Sequence, residues 1–213
     1  MLYSLNIIIV WLQEKMTELQ NTLNCKIGDM VSSSASHRVI ARRLFLYDFP
    51  TVFSSDQERG FNIMNAVCDH FKLPFSSLKV VGSAQTGYSY IKGRDFIQGD
   101  SDLDLAIINS DLFQYYSEEI YWLTDRYSDL TRFQRRNDVS SVQSFRNYLS
   151  EGQFRPDMMP NGKLKTDWFS FFNKLSNNHT EVFKNINAGI YLSEGFFVMK
   201  NSSIISEYKK APK

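Results

Sequence analysis

Cysteine is almost missing: 213 residues hold two, Cys25 and Cys68, in no CxxC pair. That excludes a disulfide framework and a cysteine-based zinc centre. Histidine is nearly as sparse. His37, His70 and His179 stand at no metal-ligand spacing, so each reads as a surface or half-buried side chain. No sign of charge dominates: Lys and Arg total 24 against 23 for Asp and Glu, a net +1, so a nucleic-acid surface has to be a local patch. Long hydrophobic runs are lacking as well. The apolar run Leu5–Leu12 is far short of the roughly 20 residues that cross a bilayer. It has neither the basic stretch nor the small-residue cleavage site of a secretory signal. The run reads as a packing element or as sequence ahead of a start at Met16, and residues 1–35 as a segment partly outside the core. A cytoplasmic protein with no membrane partner is the expectation.

Glycine (10) and proline (5) are scarce, and where they occur they punctuate. Residues 36–73 read as helical with a break at Pro50. In the second piece Ser55 caps, Glu58 closes a capping box, and Phe61, Met64, Val67, Cys68 and Phe71 recur at threes and fours as one apolar face. "SLKVVGS" is a short strand stopping at Gly82-Ser83, "AQTGYSYIK" a short helix, and "SDLDLAIIN" the next strand. "SDLFQYYSEEIYWLTDRY" is an amphipathic helix capped by Ser110 or Asp111, and a further helix runs from 129 to about 150. "EGQFRPDMMPNGKLK" is irregular, a helix opens at Thr166 or Asp167, and "NINAGIYL" is a late strand followed by a helix. The Phe-rich "DWFSFFNKL" reads as core. The order predicts a mixed α/β (α+β) domain over 36–213, a small mixed sheet flanked by helices. Its core lies at 78–108, its helical insertion at about 110–182 and its last strand at about 185–192. There is no internal repeat.

Within "GDSDLDLAII" two carboxylates, Asp102 and Asp104, stand at the mouth of an oily strand. Strand side chains alternate, so these two share a face, and Leu103, Leu105 and Ile107 share the other. Paired carboxylates raise one another's pKa unless a cation sits between them, and Mg²⁺ takes one or two protein carboxylates with water and phosphate oxygens. The Gly82-Ser83 turn offers the complementary half: close backbone approach, a hydroxyl donor and a helix start that favours phosphate.

Gly-Ser, then a helix carrying Gly87, then "DSDLDL", resembles the signature of the nucleotidyltransferase superfamily, of DNA polymerase beta-like fold. The resemblance covers residues 78 to 108. It implies that Gly82 and Ser83 hold the triphosphate of a nucleoside triphosphate while Asp102 and Asp104 bind catalytic Mg²⁺. An NMP would then pass to an acceptor, protein, RNA or small molecule, with release of pyrophosphate.

The chain departs from the family pattern in two ways. Eighteen residues separate Ser83 from Asp102, the excess being "GRDFIQG", where Arg94, with Lys92 just ahead of the stretch, is placed to reach phosphates. The family's third carboxylate, on a neighbouring strand, is matched by Asn187, which can ligate a metal but cannot take a proton; Asp157 is the loop alternative. That substitution keeps a second reading open, a catalytically degenerate nucleotidyltransferase fold serving as a binding or regulatory module, for instance in a toxin–antitoxin or defence pair. About twenty residues follow the last strand, which favours a small single-acceptor transferase. Arg126, Arg132, Arg135, Arg136 and Arg146 gather without lysine, a nucleic-acid surface if they bind phosphates, but Asp125, Asp129 and Asp138 dilute them into a solvated helix face.

Overall fold

The computed structural model describes residues 34–89, 92–136 and 139–210; Leu5–Leu12, Met16 and Cys25 lie outside them. Ser36 caps α1 (His37–Arg42), its side chain accepting from the Val39 N–H, and a π-helical turn, Arg43–Tyr47, follows. Pro50 opens a single 3-10 turn, and α2 spans Gln57–Phe71. The cap of α2 is Asp56, not Ser55: the Asp56 carboxylate accepts from the backbone N–H of Arg59 and pairs with its guanidinium. The buried face of α2 matches the expected one in Val67 and Cys68, with Met64 and Phe71 packed partly buried against the core, and departs from it at one end, where Ile63 replaces Phe61. Ile63, Val67 and Cys68 face the core while Phe61 lies 52% exposed, stacked on Phe75.

Strand β1 is Leu78–Val81 and the helix after it, α3, is only Gly82–Thr86. Gly87 ends α3 in the left-handed region (φ 76), a conformation glycine adopts without strain. The helix expected through Lys92 therefore stops early, and a small hairpin of β2 (Tyr88–Ser89) and β3 (Arg94–Asp95) takes its place. Then come β4 (Leu103–Ile108) and α4 (Ser110–Leu123), capped by Asn109 rather than Ser110 or Asp111.

The helix expected from 129 to 150 begins only at Ser141. Asp125, Arg126 and Tyr127 all take positive φ, and the Asp129 carboxylate accepts from Thr131, holding a turn. A hairpin of β5 (Arg135–Arg136) and β6 (Val139–Ser140) precedes α5 (Ser141–Ser150). The arginines thus spread over turn, hairpin and helix instead of one helix face. Arg126 pairs with Asp125, and Arg146 lies over the ring of Tyr127. The segment expected to be irregular contains β7 (Gln153–Phe154), α6 spans Lys163–Asn177, and β8 (Ile186–Tyr191) leads to α7 (Glu194–Lys210). The insertion is therefore helical with a two-stranded hairpin and the strand β7 inside it.

Four strands form one mixed sheet in the order β1-β4-β8-β7. β4 is antiparallel to β1 and parallel to β8, and β7 is antiparallel to β8. One face, with Leu78, Val80, Leu103, Leu105, Ile107 and Ile186, is sealed by α2, α4, α5 and α6. Trp168 and Phe172 are buried there, as the core reading of the Phe-rich segment expects. Among the described residues the other face is covered at one end only, where α1, the π-helical turn and α7 pack Ile40, Phe45, Phe197 and Val198 on Ala106 and Tyr191. Among the described residues no helix is long and apolar enough to cross a membrane.

Candidate active site on the open face of the sheet

The uncovered end of that second face carries the two acids. Asp104 lies in β4 between the buried Leu103 and Leu105, so pleating alone turns it outward. Asp102 immediately precedes the strand on the same side. Gly82 sits at the adjacent end of β1 with φ 65, and a Cβ there would lie 3.3 Å from the Asp104 Oδ2. Glycine is required twice over, by the left-handed backbone and by the closeness of the carboxylate.

The turn is firmly held. Gln85, 4% exposed, donates from Nε2 to the carbonyls of Leu44 (2.7 Å) and Asp48 (2.9 Å), and Thr51 Oγ1 donates to the Gln85 carbonyl. Because α3 has only five residues, its dipole is slight. What the turn offers a ligand is its own backbone and the half-exposed Ser83 hydroxyl.

β8 completes the face. Its register sets Asn187 directly beside Asp104, close enough for the amide to hydrogen-bond the carboxylate. One step earlier, Asn185 Nδ2 donates to Asp102 Oδ1 at 2.9 Å. Two acids at the start of β4 therefore stand against two amides at the start of β8, Asp102 and Asn185 each lying one residue before its strand. Asn185 is the member that sequence reasoning missed, although its spacing from Asn187 repeats that of Asp102 from Asp104.

Asp104 opens onto a cavity of about 460 Å³ lined also by Gly82, Asn187, Gly189, Gln153 and Arg155. Ser83 and Asp102 stand outside its lining. The Asp104 carboxyl is solvent-accessible, but protein surrounds the cavity. That burial, and next the negative charge of Asp102, hold its pKa above the usual carboxylate range. Lys92, Arg155 and the Asn187 amide pull the other way. Lys92 is thus close enough to act on the site, whereas Arg94, the other residue expected to reach phosphates, pairs with Asp100 at 3.0 Å.

Asp157 lines the same cavity, but both its oxygens are engaged by Arg155, at 3.0 and 2.9 Å. It is poorly placed to accept a proton. Among the described residues no three His, Cys, Asp or Glu side chains gather into a metal-binding group; beside the pair stand the amides of Asn187 and Asn185, each with a carbonyl oxygen. Two carboxylates and an amide oxygen form a hard donor set of net charge −2, able to balance one divalent cation.

No family model, no curated protein and no solved structure matches the chain.

Proposed function

We propose that the chain is a Mg²⁺-dependent nucleotidyltransferase that passes an NMP from a nucleoside triphosphate to an acceptor, releasing pyrophosphate. The observation that carries the reading is the meeting of three separate segments at one point: the Gly82 turn, the Asp102–Asp104 pair and Asn187 on the parallel strand. Asp102 and Asp104 would hold the metal, with the Asn187 oxygen as a further donor. The all-oxygen set fits a hard cation, and the raised pKa of Asp104 marks a site that such a charge relieves. Bound Mg²⁺ would supply charge neutralisation on the phosphoryl oxygens. The backbone at Gly82 and the Ser83 hydroxyl orient the phosphates, and Lys92 adds positive charge beside them.

A second reading keeps binding and removes transfer: a nucleotide-binding module in a regulatory or defence role. Asn187 cannot accept a proton, and Asp157 is occupied by Arg155. Either way the protein meets a nucleoside triphosphate, and the acceptor of the first reading is a protein, an RNA or a small molecule.

The deciding experiment replaces Asp102 and Asp104 together by asparagine. Wild-type protein should gain melting temperature with Mg²⁺ plus nucleoside triphosphate, by about 3 kcal/mol of stabilisation at a hundredfold excess over Kd; the double variant should gain none and release no pyrophosphate. Its metal-free stability should equal or exceed wild type. Equal ligand stabilisation of both proteins would sink the metal assignment. Stabilisation of wild type without pyrophosphate, across protein and RNA acceptors, selects the binding module.

A further inference from the structure

Two features of the cavity are not accounted for by packing among the described residues. The first is Gly189, in the middle of β8 on the open face between Asn187 and Tyr191. Its backbone is not left-handed, and a Cβ there would meet only the Phe154 carbonyl at 3.7 Å and Gln153 Nε2 at 3.8 Å, ordinary contacts. A strand interior disfavours glycine unless something approaches the backbone closely. None of the described residues does so on this face, and the bare stretch is cavity floor.

The second is the carboxamide of Gln153. β7 sets it opposite Tyr191, whose hydroxyl it meets from Nε2 at 3.0 Å. Burial raises the pKa of that hydroxyl, so it stays protonated and keeps the amide pinned. The Oε1 is buried and finds no hydrogen-bond partner among the described residues. An unpaired buried acceptor is costly. If the amide is turned end for end, the NH₂ becomes the unpaired group, and the deficit remains.

Gln153 lies two strands over from Asp104 and four residues further along, about 16 Å away by strand spacings. That is close to the reach of a nucleotide from its phosphates to the far edge of its base. We propose that Gly189 and Gln153 form the seat of a nucleobase, the bare strand lying under the ring and the Gln153 carboxamide pairing with a polar group on its edge. The inference rests on the nucleotidyltransferase reading, because it takes the phosphates to lie at Gly82 and Asp104.

Isothermal titration of the full chain in Mg²⁺ separates the two ideas, with inorganic tripolyphosphate as the base-free probe and ATP, GTP, CTP and UTP as the others. At least one nucleotide should bind about tenfold or more tightly than tripolyphosphate. Gln153→Met, matched in shape but without the amide, and Gly189→Val, which fills the floor, should each erase that advantage while leaving tripolyphosphate affinity unchanged. Gln153→Met should melt close to the wild-type temperature, because it removes the unpaired Oε1 but also takes the donor from the buried Tyr191 hydroxyl. Should the valine variant not fold, Gly189→Ala replaces it, with a smaller loss. Tripolyphosphate binding with no nucleotide advantage, or variants that keep the advantage, overturns the seat alone. Binding of neither probe overturns the nucleotidyltransferase reading and the seat with it.

Discussion

The two faces of the sheet come from the same strands and share almost nothing else. On the sealed face Leu103, Leu105 and Ile107 are within 2% of complete burial. On the open face, one residue away each time, stand Asp104, exposed, and Ala106, covered by α1 and α7. β8 repeats the contrast, with Ile186 and Ile190 inward and Asn187 and Gly189 outward. A strand with one face committed to the core cannot slip its register without driving both acids into hydrocarbon. The sealed face therefore supplies stability and, through register, aims the open face. Mutations should divide accordingly: loss of fold on one side, loss of ligand response at little cost to the fold on the other.

The hardest test of that division is Phe154→Ala. The ring is fully buried, with edge contacts to Phe113, Tyr116 and Phe145 at centroid distances of 5.4–6.4 Å. Urea unfolding should show a loss of about 3–5 kcal/mol. A loss below 1 kcal/mol would mean that the sealed face is not the source of stability.

A smaller effect is expected for Asn187→Asp, which puts a third carboxylate on the open face. Without metal the variant should lose about 1–3 kcal/mol to like-charge repulsion. Mg²⁺ should restore its melting temperature by more than it raises wild type, and turnover should increase if the new carboxylate serves as base. An unchanged stability with and without Mg²⁺ would place residue 187 outside the charged site.

The smallest is a pH effect. Asp104 is raised in the folded state above its ordinary value of 3.8, so the fold binds its proton more tightly than the unfolded chain does. The folded state is therefore favoured while the group is protonated. That advantage fades as pH climbs from the ordinary aspartate value through the folded one, and stays lost above it. Asp104→Asn removes the effect: relative to wild type the variant should gain stability over that window and then hold a constant lead. A flat difference between the two unfolding curves from pH 3 to 7 would deny the raised pKa.

The open face was largely legible in the sequence because its logic is local. Alternation over "DLDLAII" decides where Asp102 and Asp104 point, and a glycine before a helix marks the turn at Gly82. The same pattern reading brings Asn187 to the right strand, though only the parallel register sets it beside Asp104. What escaped was decided at a distance. β7 is two residues long, too short to carry a period, and it exists because Phe154 packs into the core and Gln153 lies opposite Tyr191. Phe61 was misread because the first turn of α2 is fitted to a distant ring: Gly60 leaves room for Phe53, which a Cβ would meet at 2.7 Å, and Ile63 takes the buried position. The Arg155–Asp157 pair lies in a stretch with no periodicity at all.

The hydrogen bond from Asn185 to Asp102 joins residues 83 positions apart. β4 and β8 cannot meet until everything between them has been made and folded back, and contacts of such separation close late and slowly. A growing chain thus carries both acids long before the segment that bears their partner amides, Asn185 and Asn187, has been made.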